Sequence, residues 1–171
     1  RFVGDPVACV VAETKAQARD AAEAVMLDVD SLPVVTTPEE AAARFLDALS
    51  VGDEQALRAL TVSRGEFEGA IWPWLRVSRP ESNVTPAWAW EQYALRNEAA
   101  FQRLLRNHAG ASYRLVALRF RGPAVEYEGF RLFEKPSLEI ENVSGERQTV
   151  RLFGSLVEMN GFYKIYGFKN D

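Results

Sequence analysis

An α+β fold is predicted for this chain, with helices packed on a curved antiparallel sheet that closes toward a cone-like barrel, and with a β-α-β fragment ahead of it. Three observations carry that prediction. Apolar residues recur with helical spacing from Thr37 to Gly110 and then switch to alternation. Helix-start signals at Thr37, Asp53, Ser63 and Thr85 fall where that spacing begins. An Asn-Gly pair at Asn160 and Gly161, flanked by alternating apolar residues, marks a hairpin near the end.

Taken in order, "PVACVVA" is an apolar run of strand length, as expected of a strand buried on both faces. A helix should follow, with Thr14 and Gln17 forming a capping box and Ala18, Ala21, Ala22, Val25 and Met26 on one face. "LDVD" alternates like a strand and Pro33 stops it. From Thr37 a new start appears, with Pro38 at the first helical position and Glu40 at the third. Ala42, Phe45, Leu46 and Leu49 make its buried stripe, and Gly52 closes it. Asp53 caps a short helix, and Ser63 with Glu66 starts another. "AIWPWLRVSRPESNV", interrupted by Pro73 and Pro80, reads as irregular, and the longest helix runs from Thr85 to Gly110. Four or five strands should follow. The parity of Val125 and Tyr127 against Phe130 and Leu132 predicts a bulge near Gly129. A turn at Ser144 and Gly145 joins "SLEIENV" to one long strand, "RQTVRLFGSLVEM".

Composition divides the chain. Of 4 Trp, 5 Tyr and 10 Phe, only Phe2 precedes residue 39. The first 38 residues carry three basic groups against six acidic ones, and the rest is close to neutral. The boundary therefore falls between Pro33 and Pro38, giving segments 1–36 and 37–171. A net charge of -4 supplies no basic field, so neither nucleic acid nor an anionic membrane is expected as a partner. A single cysteine, Cys9, rules out an intrachain disulfide and a multi-cysteine zinc site, and its apolar neighbours favour a buried, inert thiol. No apolar run reaches the roughly 18 residues of a membrane helix. The chain opens on Arg1, so a missing start is expected, and a removed signal peptide stays compatible with the sequence. A cytoplasmic location is favoured.

"RFVGDPVA", "VVAET" and "LPVV", all within residues 1–35, resemble the hammerhead domain in the large subunit of molybdenum hydroxylases, the xanthine dehydrogenase, aldehyde oxidase and carbon monoxide dehydrogenase group. The resemblance implies scaffold, and in its family molybdenum-cofactor hydroxylation alongside flavin and iron-sulfur modules. No residue here matches the family's catalytic motifs, so no site residue is carried over. A gene fusion, a misjoined reading frame and an integral part of the domain all fit this segment. "AAARFLDALSVGDEQALRAL" and "RLFGSLVEMNGFYKIYGF" resemble the nuclear transport factor 2-like superfamily, including its SnoaL-like branch, over residues 37–171. That resemblance implies a cone-shaped sheet around a pocket, in a superfamily of isomerases, cyclases, dehydratases, ligand carriers and dimerising modules. Fold alone does not choose among them.

Candidate site residues centre on Trp72, Trp74, Trp88 and Trp90, interleaved with Arg76, Arg79 and Tyr93. Aromatic walls with a few placed charges are what a ligand pocket uses. The expected ligand-binding set is Trp72, Trp74, Arg76, Trp88, Trp90, Tyr93 and Tyr127, for a small apolar or aromatic ligand. Core packing is the competing role for the tryptophans. His108, in the last turn of the long helix, fits dipole complementarity better than catalysis. Glu126 and Glu128 share a strand face that alternation turns to solvent, yet with Glu66 and a tyrosine they are the candidates for acid-base chemistry. "NVT" at Asn83 and "NVS" at Asn142 are chance matches to a glycosylation pattern. No phosphate loop, nucleophile triad or metal-ligand cluster is present, so no catalytic residue, metal or cofactor is assigned. The leading expectation is a non-catalytic ligand-binding or homodimerising domain. An acid-base enzyme of isomerase or dehydratase type, and a part of a molybdenum hydroxylase, are the alternatives.

Overall fold

The computed structural model describes residues 8–26 and 35–168. Residue contacts divide the chain into two compact units, Arg1–Pro33 and Val34–Asp171. In the first, helix α1 spans Lys15–Glu23. Its capping box forms as the spacing requires: Thr14 Oγ1 accepts from the Gln17 amide at 3.2 Å, and Gln17 Oε1 accepts from the Thr14 amide at 3.1 Å. None of its residues is buried. Residues 8–12, expected in a strand buried on both faces, form no strand; Val11 is 92% exposed and Cys9 is exposed rather than buried. An apolar run needs a hydrogen-bonded neighbour to become a strand, and residues 8–26 contain none. The strand expected at Leu27–Asp30 lies outside the described residues.

The described part of the second unit begins with Val35, buried, whose carbonyl accepts from the Tyr163 amide at 2.9 Å. Helix α2 (Pro38–Val51) follows, capped by Thr37 at 3.1 Å. Glu40 reaches back to the Thr36 amide at 2.9 Å rather than to the cap itself. Ala42, Phe45, Leu46 and Leu49 are all buried, and Gly52 at φ 68° ends the helix in the left-handed region. Asp53 caps α3 (Glu54–Ala59) and Ser63 caps α4 (Arg64–Glu66), which continues as a π turn over Phe67–Ile71. The stretch expected to be irregular instead makes three short 3-10 turns, Trp72–Trp74, Arg76–Ser78 and Pro80–Ser82. Pro73 and Pro80 sit within the first two positions of their turns, where a missing N–H leaves no bond unmade. Helix α5 (Pro86–His108) has Thr85 as its cap, as predicted.

Seven strands follow: β1 (Tyr113–Arg119), β2 (Val125–Glu126), β3 (Arg131–Glu134), β4 (Ser137–Asn142), β5 (Arg147–Val150), β6 (Phe153–Met159) and β7 (Phe162–Phe168). They build two antiparallel sheets, β1-β4-β5 and β2-β3-β6-β7. The α+β class is therefore present, but the sheet does not close into a barrel. The single long strand expected from Arg147 to Met159 breaks at Arg151 and Leu152 into β5 of one sheet and β6 of the other. Leu152 and Phe153 are both fully inside. A flat strand would send consecutive side chains to opposite faces, so the chain turns a corner there. The bulge expected near Gly129 is instead a tight turn, with the Tyr127 amide donating to the Phe130 carbonyl at 2.9 Å. The observed bulge lies in β1, between Leu115 and Ala117. The predicted hairpin forms with Asn160 at φ 53° and Gly161 at φ 81°, both in the left-handed region that a two-residue turn of this hand requires.

Two apolar clusters hold this unit. The larger centres on Phe45, Phe153, Phe101 and Phe168, with ring centroids 5.3 Å apart for the first pair and 4.6 Å for the second. The smaller gathers Phe67, Ile71, Trp72, Phe130, Val157 and Met159. Strand β7 touches both systems and is tied to the helical half as well: Ile165 donates to the Leu60 carbonyl at 2.9 Å and accepts from the Val62 amide at 3.1 Å. Among the described residues no helix is long and apolar enough to cross a membrane.

Candidate functional site

Helix α5 meets strand β7 at a position whose backbone conformation favours glycine. Gly167 stands at φ 86°, in the left-handed region, and a Cβ there would lie 3.4 Å from Asn97 Oδ1 and 3.7 Å from the Tyr93 ring. The close approach lets Asn97 Oδ1 accept from the Phe168 amide at 2.6 Å, so a helix side chain caps the end of the last strand. Ala89, Tyr93 and Asn97 recur every four residues and form one stripe of α5. Trp88, Gln92 and Arg96 form the stripe beside it. Together with Tyr166, Gly167 and Phe168 of β7, these two stripes line a groove of about 480 Å³, whose far wall is Val77 and Val84. That volume lies within the range of small-molecule sites.

Tyr93 is the centre of the aromatic packing beneath the groove. Its ring stacks on Tyr166 at 5.1 Å and 20° and on Phe67 at 6.0 Å and 8°, with Trp90 tilted against it at 5.1 Å. The Tyr93 hydroxyl is buried and has no hydrogen-bond partner among the described residues. Burial first, and then neighbouring Tyr166, pushes its pKa well above the usual phenol value. Tyr166 is raised too, by burial and then by Tyr127. Both phenols are neutral at physiological pH, so they can donate a hydrogen bond but cannot serve as resting bases.

The seven residues expected to bind ligand separate in space. Trp88, 55% exposed, and Tyr93 line the groove. Trp72 is buried in the smaller core cluster at 6.0 Å from Phe67, and Trp90 packs on the same ring at 5.5 Å. Trp74, 40% exposed, lies over the turn at Gly129, where a Cβ would fall 2.2 Å from Trp74 Nε1. Tyr127 stacks on Phe130 at 4.3 Å, and Arg76 is exposed; neither lines the groove. Gln92, Arg96, Asn97 and Tyr166 were not singled out from the sequence. The first two share a four-residue spacing with Trp88, a signal that was legible; nothing local marks which strand α5 packs on.

The carboxylates considered for acid-base work stand elsewhere. Glu66 is held by Lys164 at 2.8 Å and closes the Ser63 capping box at 2.8 Å. Burial alone would raise its pKa, but Lys164 and Ser63 outweigh that and keep it below the ordinary value. Glu126 and Glu128 are exposed. His108 has Tyr113 as its neighbour, with 3.5 Å between Nδ1 and the hydroxyl. Among the described residues no group of His, Cys, Asp or Glu is arranged to hold a metal ion.

No family model, curated protein or solved structure matches this chain. What the site can do rests on its own geometry. The groove combines aromatic and aliphatic walls with the amides of Gln92 and Asn97 and the guanidinium of Arg96.

Proposed function

We propose that residues 34–171 form a non-catalytic small-molecule-binding module of nuclear transport factor 2-like type, whose site is the groove between α5 and β7. One observation carries this reading: an aromatic-walled groove of about 480 Å³ has polar groups gathered at one end and the unpartnered Tyr93 hydroxyl beneath it. A buried polar group without a partner is uncommon in a folded protein and often marks a site of function. The order of elements, helices first and then antiparallel strands ending in an aromatic hairpin, supports the superfamily assignment. The acid-base alternative has less support, because Glu66 is tied to Lys164 while Glu126 and Glu128 face solvent. The opening segment, on its resemblance, is scaffold of molybdenum hydroxylase type.

A thermal-shift screen of small aromatic compounds against the full chain tests the reading. Binders should raise the unfolding temperature of the wild type and lose that effect in Trp88→Ala, a substitution at a largely exposed position. Failure of every compound, or stabilisation indifferent to Trp88→Ala, overturns it. Stoichiometric molybdenum and pterin in purified protein would instead place the chain with the hydroxylases.

A further inference from the structure

The groove is graded along its length, and the grading selects a charge. At the N-terminal end of α5 the helix contributes Trp88 and Ala89, and Val77 and Val84 add further apolar lining. One to two helical turns further on it is polar, with Gln92 and then Arg96 and Asn97. Among the described residues that line it, Arg96 is the only charged one, and none is acidic. Among the described residues Arg96 makes no ion pair, whereas Arg58, Arg64, Arg114, Arg131 and Arg147 are each matched to a glutamate. Trp88 and Arg96 are eight residues apart, which is about 12 Å along a helix axis. Both side chains lean toward the helix N-terminus, and that separation suits a ligand with one fused or extended ring system and a charged group at one end.

We propose that the groove's ligand is a small planar aromatic acid, its ring against Trp88 and the two valines and its carboxylate toward Arg96. This rests on the binding reading above and narrows it to one ligand class. A guanidinium fork offers a carboxylate two parallel donors, and Gln92 and Asn97 add amide donors beside it. The ring gains its contact from apolar surface that would otherwise stay in water. The neutral Tyr93 and Tyr166 do not oppose an anion, as phenolates would. Because Arg96 is exposed, its attraction is screened by water and salt, so the acid is favoured by a modest factor and the preference is salt-dependent.

Calorimetric titration of the full chain with 2-naphthoate and with 2-naphthalenemethanol, at low ionic strength and again at high salt, separates the outcomes. The acid should bind about threefold to tenfold more tightly at low salt, with the difference shrinking at high salt and vanishing in Arg96→Gln. Trp88→Ala should weaken both compounds. Equal binding of the two, tighter binding of the alcohol, or an acid preference that survives Arg96→Gln would overturn the charge selection while leaving the groove as a binding site. Binding by neither would remove the proposed function as well.

Discussion

Replacing Tyr93 by Phe isolates one oxygen atom at the centre of the site. The ring stays, so its stacking on Tyr166 and Phe67 is preserved. What is removed is a hydroxyl that is buried and, among the described residues, hydrogen-bonded to nothing. Leaving a buried polar group unsatisfied costs about 1–3 kcal/mol, so its removal should stabilise the free protein by roughly 1 kcal/mol or more. For a domain between the small and medium size classes, that is a rise of about 4 °C in unfolding temperature per kcal/mol. Because the hydroxyl is buried beneath the groove, the same substitution should leave the affinity for a groove ligand nearly unchanged. Urea unfolding followed by tryptophan fluorescence gives the first quantity and calorimetric titration the second. The distinctive result is a variant that is more stable and binds as well as the wild type. A variant less stable than wild type would refute the reasoning, since the hydroxyl would then have been satisfied in solution.

Three further outcomes follow from named contacts. Gly129→Ala places a methyl group against Trp74 Nε1, and overpacking of this kind destabilises by about 1–3 kcal/mol; Trp74→Ala in the same chain should recover most of the loss, which a double-mutant cycle by urea unfolding reads directly. Glu98 is held at about 2 against an ordinary 4.5, chiefly by its hydrogen bonds from Arg58 at 2.7 and 2.9 Å and then by Gln102. Since the folded value is the lower one, its contribution is present above pH 4.5 and is lost as pH falls toward 2. Both partners are about half exposed, so Glu98→Gln should remove only about 0.2–1 kcal/mol at neutral pH, and acid titration of stability should be correspondingly flatter. A fragment of residues 34–171 should unfold cooperatively and keep the groove, because every buried apolar residue among those described lies between Val35 and Phe168; one starting at residue 37 should be weaker, since it lacks Val35 and the bond to Tyr163. Comparing the two midpoints decides it.

Much of the helical half was legible because its signals are local. Thr14, Thr37, Asp53, Ser63 and Thr85 all cap helices where their spacing to the next residues says they should. The turn at Asn160 and Gly161 was equally readable, because two consecutive left-handed residues suit few amino acids. The corner at Leu152 was not. Period-2 alternation continues across Arg151 well enough to look like one strand, and only packing between two sheets shows that Leu152 and Phe153 both belong inside. The same holds for the strand expected at residues 6–12, where composition favoured β structure but residues 8–12 form none.

The candidate site divides in the same way. Composition alone pointed to the aromatic stretch, and two of its members, Trp88 and Tyr93, line the groove. Their partners Tyr166 and Gly167 lie more than seventy residues along the chain, and no short-range pattern links them to α5. Local sequence determines where a helix starts and which face is apolar, since caps and periodicity act over a few residues. Which aromatic becomes core, like Trp72, and which becomes the wall of a groove, like Trp88, was decided only by tertiary structure, through the close approach at Gly167 that brings one helix face onto the last strand and leaves the neighbouring stripe in solvent.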